Sequence, residues 1–220
     1  RGSLKDLTAP KIGAVAVREA VSRAKLDAKD VEECIMGNVL SAGLGQNPAR
    51  QAALHGGLAD EVAALTVNKV CGSSLKAVML AAQSIKAGDN DIVVAGGMES
   101  MSNAPYYLEK ARFGYRMGNG GLVDHMVHDG LWDIVNDFHM GISNELCSER
   151  YNVSREDQDR YAAESYRRTL AAQAAGRLEA GELWQDSGLV FTTSAGTMLD
   201  QHNIRRQFRQ ITKAAGLGED

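Results

Sequence analysis

The stretch NKVCGSSLKAV, residues 68–78, puts Cys71 between an apolar, β-branched run and a Gly-Ser-Ser turn that opens onto helix-like sequence. At such a strand-to-helix junction the amides of the first helical turn and the positive end of the helix dipole face the side chain, an arrangement suited to an anionic sulfur nucleophile. Gly72 leaves room for a substrate to approach the backbone, and Ser73 and Ser74 suit the opening turn of a helix. Nucleophile elbows place a serine in the same kind of turn. Simple burial of a small side chain is the competing reading of Cys71. The local pattern leaves both open.

Two further groups carry chemistry-bearing side chains. His125 and His128 form an HxxH pair, a spacing compatible with a metal, but no third ligand is in evidence. The three cysteines, Cys34, Cys71 and Cys147, are sparse, odd in number and without CxxC spacing. That argues against a disulfide framework and a structural zinc site, and fits a reducing, cytoplasmic setting. No apolar run reaches the length of a membrane span, and the opening RGSLKDLTAP lacks the apolar core of a secretory signal. The formal net charge is −4. Residues 187–220 carry four basic side chains (Arg205, Arg206, Arg209, Lys213) against three acids (Asp200, Glu219, Asp220), so the tail is +1 and the remainder −5. The main body therefore lacks the charge of a nucleic-acid binder.

The elements that must position Cys71 follow from periodicity. Thr8 and Pro10 open an amphipathic helix over 9–26, with Ile12, Val15, Ala16 and Ala20 on one face. ECIMGNVL (33–40) reads as a buried strand. Asn47 caps and Pro48 begins a helix that stops at Gly56-Gly57. ALTVNKV (64–70) and DIVVAGG (91–97) are further strands, separated by a helix from Gly72 to Ala87. This alternation predicts an α/β fold: a mostly parallel sheet with helices on both faces.

From Met101 to about Asn152 the text turns aromatic, Met-rich and Gly-rich, which predicts an ordered lobe inserted into the sheet domain. Ser154 opens a long helix with the capping pattern Ser-x-x-Asp. The chain thus divides into an α/β core (1–100), a loop lobe with a long helix (101–183) and a tail (184–220). In the tail, SGLVFTTSAGTMLDQHN suggests a hairpin and IRRQFRQITKAAG a basic helix whose exposed face is solvated.

NKVCGSSLKAV followed by AGGMESMSNAPY (95–106) resembles the thiolase family. NPARQAALHGG, GNGGLVDHMVHDGLWDIVNDFHMG (118–141) and YNVSREDQDRYAAESYRR (151–168) match in the same order. The resemblance covers the N-terminal half of that family, residues 1 to about 183. Ketoacyl synthases share the fold and a Cys-Ser-Ser turn, but the Asn-Lys-Val lead-in and GGMESMSNAPY favour thiolase.

The resemblance implies a thiolase-like N-terminal α/β half with an inserted lobe, the family's first strand lying before residue 1. It implies acyl transfer between CoA thioesters through an acyl-cysteine, either as acetyl-CoA acetyltransferase or as 3-ketoacyl-CoA thiolysis. Cys71 matches the acyl-accepting nucleophile, and its own N–H would meet part of the charge on the thioester oxygen. His139 and Met140 in FHMG match positions lining the pantetheine and acyl pocket, His139 having a structural loop role as its alternative. Leu131 in GLWD matches another CoA contact. CoA and acyl-CoA are the implied partners, with no further cofactor and with a homodimer or homotetramer as the assembly.

The family's second half carries a Gly-His-Pro histidine, an asparagine that holds an oxyanion-binding water, and a second catalytic cysteine. Neither Gly-His-Pro nor Cys-Gly-Gly occurs in these 220 residues. An acyl-CoA-binding chain without turnover is therefore the alternative function. Residues 184–220 resemble a piece of a phage-type tyrosine recombinase without its catalytic residues; a gene fusion, a frame-disrupted gene or a misassembled reading frame would each account for the join, and a DNA-binding accessory fragment is the third alternative.

Overall fold

A computed structural model describes residues 4–180, with side chains to residue 175. The described residues form two compact units, 4–132 and 133–180. The hairpin and basic helix expected in the tail, with Arg205, Arg206, Arg209 and Lys213, lie outside the described residues.

The first unit is built on a parallel three-stranded sheet in the order β2-β1-β3, comprising β1 (Glu33–Gly37), β2 (Ala63–Val67) and β3 (Val93–Gly97). Register is fixed at Glu33 opposite both Ala63 and Val93, and at Gly37 opposite both Val67 and Gly97. β1 is central, and side chains alternate across it as the pleat requires. Cys34 and Met36 enter one core layer, whereas Ile35 enters the other.

Helices α1 (Ala9–Ala24) and α2 (Pro48–His55) cover the first face. Val17, Ala49, Ala52 and Ala53 are buried there with Cys34 and Met36. The small α2 residues allow close packing, and Arg18 of α1 locks the end of α2 by donating to the carbonyl oxygens of His55 (2.7 Å) and Gly56 (3.2 Å). These are the last carbonyls of a helix, where a cation is favoured. Asn47 starts α2 by accepting from Arg50 N–H (3.2 Å). Its carboxamide also bridges to β2, donating to the Ala64 carbonyl (2.9 Å) and accepting from the Thr66 hydroxyl (2.7 Å).

Helix α3 (Ser73–Ala87) covers the opposite face, burying Ala77 and Ala81 against Ile35. The α/β expectation, a parallel sheet with helices on both faces, therefore holds. Boundaries shift from those expected: α1 ends at Ala24 rather than 26, β2 ends at Val67 rather than 70 and β3 begins at Val93 rather than 91. Two further details differ. Thr8 occupies the cap position of α1, but its side chain makes no capping hydrogen bond. The first strand ends at Gly37 rather than continuing through Leu40. The amides of Val39 and Leu40 are instead taken by the Glu99 carboxylate, at 2.8 and 3.1 Å.

After β3 the chain forms a small antiparallel pair, β4 (Tyr106–Tyr107) with β5 (Val123–Asp124), and then a single π-helical turn, Met126–Leu131. The second unit contains α4 (Met140–Arg150) and α5 (Arg155–Ala180). Ser154 caps α5 as its sequence predicts: its Oγ accepts from Asp157 N–H (3.1 Å) and donates to the Asp157 carboxylate (2.9 Å). Among the described residues, no helix is long and apolar enough to cross a membrane.

Candidate active site

The chain reverses from β2 into α3 through Asn68–Gly72. Val70 has φ of 47°, a left-handed conformation that costs a β-branched residue free energy. Side chains on both sides hold it. Asn68 Oδ1 accepts from Val70 N–H (2.9 Å); the buried Ser73 Oγ accepts from Lys69 N–H (2.9 Å) and donates to the Val70 carbonyl (2.5 Å). Cys71 follows the strained residue and is exposed. The competing sequence reading, a small buried side chain, describes Cys34 instead. Burial, aided by the charge of Glu33, pushes the Cys34 thiol up to about 11.

A pair of facing glycines seats this turn on the sheet. A Cβ at Gly37 would lie 2.6 Å from the Ser73 carbonyl carbon and 2.7 Å from Ser74 N. One at Gly97, opposite Gly37 in the register, would lie 2.9 Å from Ser74 Cβ. Only residues without a side chain let the first turn of α3 approach the strand ends this closely.

A cavity of about 420 Å³ opens at this edge of the sheet, and Cys71 and Leu131 both line it. Asn38, Leu40, Met98 and Glu99 form other parts of its wall. The Glu99 carboxylate accepts from Asn38 Nδ2 (2.7 Å) as well as from the two amides of the 39–40 turn. Sequence inspection passed over Asn38 and Glu99. GGMES signalled a strand end, and nothing local links a carboxylate at 99 to amides sixty residues earlier.

The π-helical turn that brings Leu131 to the cavity is anchored by His125, which is 7% exposed. Ala42 N–H donates to its Nε2 (3.4 Å), so Nδ1 carries the proton that bonds Asp129 Oδ2 (2.5 Å). Burial of Asp129 opposes its ionisation, but hydrogen bonds from His125 and His128 outweigh this and hold the carboxyl below the usual carboxylate range. His128 Nδ1 also meets the Tyr107 hydroxyl at 3.3 Å. Among the described residues, no group of three or more His, Cys, Asp or Glu side chains is arranged to hold a metal ion.

His139 and Met140 belong to the second unit. His139 caps α4, its Nδ1 accepting from Gly141 N–H (3.0 Å), and Met140 is the first residue of that helix. The acceptor role of Nδ1 leaves the other ring nitrogen, Nε2, as the N–H of the neutral imidazole.

A parallel sheet, a strained cysteine turn seated on paired glycines and an adjoining cavity describe a class of fold, and sequence similarity to known proteins gives it a family. The model for the thiolase N-terminal domain matches residues 1–182, and the chain belongs to the thiolase family. It is 57% identical over 175 residues to acetyl-CoA acetyltransferase 2 of Arabidopsis thaliana, covering 80% of this chain and 43% of that protein. It is 54% identical over 178 residues to the acetyl-CoA acetyltransferase of Cupriavidus necator, covering 81% of this chain and 45% of the relative. For the acetyl-CoA acetyltransferase of Pseudomonas aeruginosa the identity is 52% over 177 residues, with 80% and 45% covered. The chain thus spans under half the length of the curated relatives it matches.

Proposed function

We propose that this chain is the acyl-accepting part of a thiolase-type acyltransferase acting on CoA thioesters. The observation that carries this is the exposed Cys71, held in a strained turn at the start of α3 on the wall of a cavity. In the first half-reaction the Cys71 thiolate attacks the thioester carbonyl, a new C–S bond forms, the bond to the CoA sulfur breaks, and CoA leaves as the thiol after taking a proton. The Cys71 N–H serves as one donor to the oxyanion. Leu131 contacts the thioester ligand in the cavity, and the substrate-binding roles that the family resemblance gives His139 and Met140 are part of the same proposal. Transfer of the acyl group to a second acetyl-CoA, or thiolysis of a 3-ketoacyl-CoA in reverse, completes the reaction. CoA thioesters serve as substrates without a further cofactor, in a homo-oligomer whose mass light scattering would report.

Incubation with acetyl-CoA followed by intact-mass measurement tests the reading. The expected result is a single acetyl adduct that is absent from Cys71→Ala; an adduct that persists in that variant, or none in the parent protein, rejects it.

One observation favours a second reading, an acyl-binding chain without turnover. Among the described residues, Cys71 Sγ receives no hydrogen bond from an imidazole or a carboxylate, so no base is paired with it there. Thiolysis of acetoacetyl-CoA at a rate near that of a full-length relative would reject this alternative.

A further inference from the structure

His125 joins two separate segments that wall the Cys71 cavity. One is the turn after β1, whose Asn38, Val39 and Leu40 line the cavity; the other is the π-helical turn, which contributes Gly130 and Leu131. The two segments touch, since a Cβ at Gly130 would lie 3.1 Å from Leu40 Cδ2. The buried His125 ring spans the same pair of segments, its Nε2 accepting from Ala42 N–H (3.4 Å) and its Nδ1–H donating to Asp129 Oδ2 (2.5 Å). The His125 backbone N–H donates to the Pro105 carbonyl (3.2 Å), which fixes the base of the side chain. Residues 38–46 contain no charged or titratable side chain. The titratable groups around the ring are Asp124, His128 and Asp129 on its own segment and Tyr107 of β4, which stands edge-on with ring centroids 6.2 Å apart.

We propose that His125 is a positioning residue that holds the two cavity walls together while its ring is neutral and releases the Ala42 side when the ring takes up a proton. Its bearing on acyl transfer rests on the reading of Cys71 as the acyl acceptor. Imidazole is the side chain that ordinarily changes charge between pH 5 and 8. The neutral ring offers one donor and one acceptor, both used here, whereas the imidazolium offers two donors. A proton arriving from solvent at Nε2 therefore sets an N–H against the Ala42 N–H, while the bond to Asp129 persists and joins opposite charges. Burial of Asp129 opposes its ionisation, but hydrogen bonds from His125 and His128 hold its carboxyl below the usual carboxylate range, so it remains an acceptor throughout that interval. With the Ala42 link gone, Leu40 and Leu131 lose their fixed separation, and the space that a thioester must occupy beside Cys71 is no longer preformed.

The test separates the cavity from the sulfur. The rate of Cys71 acetylation by acetyl-CoA is divided by its rate of alkylation by iodoacetamide, both read by peptide mass; the small alkylator reports the thiolate, so the titration of the sulfur cancels. Between about pH 8 and about pH 5.5 the quotient should fall about fivefold in the parent protein, the factor that one ordinary hydrogen bond supplies. His125→Gln, whose carboxamide oxygen accepts from Ala42 N–H at either pH, should hold the quotient within about twofold. His128→Gln should keep the fall, because His128 makes its bonds to Tyr107 and Asp129 rather than to Ala42. A flat quotient in the parent, an equal fall in His125→Gln or the loss of the fall in His128→Gln overturns the proposal. The parent protein gives a second readout that needs no variant: as the His125 ring is protonated, the Ala42 amide proton moves upfield and the Leu131 methyl resonances shift with the same midpoint. Ala42 and Leu131 signals that stay in place overturn the role of His125 while leaving the acyl-acceptor reading intact. Coupled shifts without Cys71 acetylation at any pH do the reverse, supporting His125 as the tie between the walls and removing the proposed acyl transfer.

Discussion

The two faces of the sheet are built differently from the same strands. Towards α1 and α2, β1 contributes Cys34 and Met36 to a layer closed by two helices and rich in buried alanine and valine. Towards α3 it contributes Ile35, which meets only Ala77 and Ala81 among the fully buried residues, and then Gly37. The outer side of α3 exposes Leu75 (66%), Val78 and Met79. The closed layer spreads its buried side chains along its length, whereas the α3 layer is thin and makes its tightest backbone approach at the end carrying Cys71.

Ile35→Ala should give the largest loss, since Ile35 is the largest fully buried side chain of the thin layer. About 3–4 kcal/mol is expected from the range for buried large-to-small changes, measured as a shift in urea midpoint; a loss below about 1 kcal/mol would show the layer collapsing around the gap.

Cys34 probes the closed layer by pH. Its folded value, about 11, lies above the ordinary 9.0, so the folded chain keeps a proton that the unfolded chain releases. Stability is therefore intact below pH 9 and declines between about 9 and 11, by roughly 2–3 kcal/mol at the upper end. Cys34→Ala should flatten that part of the profile, and an unchanged decline would place its cause elsewhere.

Gly37→Ala and Gly96→Ala set the faces side by side. The first puts a Cβ against the Ser73–Ser74 backbone; the second meets Met36 Sδ at an ordinary 3.6 Å. Roughly 2 kcal/mol is expected for Gly37→Ala, within the range for overpacking, and under about 0.5 kcal/mol for Gly96→Ala. Only Gly37→Ala should also slow Cys71 acetylation. Equal effects would erase the contrast.

Leu75→Ser should change stability least, within about 0.5 kcal/mol, because the side chain is already largely in water. A loss above about 1.5 kcal/mol in thermal unfolding would show this face to be covered in solution.

Much of this architecture is legible in sequence because its signals are local. Apolar runs bounded by Gly, Pro and Asn place β1, α2 and α3, and Ser154 marks the start of α5. The failures are those of partners far along the chain. Val39 and Leu40 look like more strand because they are apolar, but a carboxylate at Glu99 claims their amides. The left-handed Val70 is invisible to propensity, since no β-branched residue advertises such a conformation. The convergence of Cys71 and Leu131 on one cavity follows from no spacing; the family resemblance named both residues, and the fold supplies their proximity.

Val70 also bears on how this chain would respond to selection for heat resistance. Glycine or asparagine tolerates its backbone conformation more readily than valine, so a screen that rewards survival alone should enrich those residues at position 70. Retained function is a separate demand, because relaxing the turn removes a constraint on the neighbouring sulfur. Variants that outlast the parent on heating would include those with a less sharply placed thiol, and sorting them by acetylation as well as by melting would separate the two pressures at a single codon.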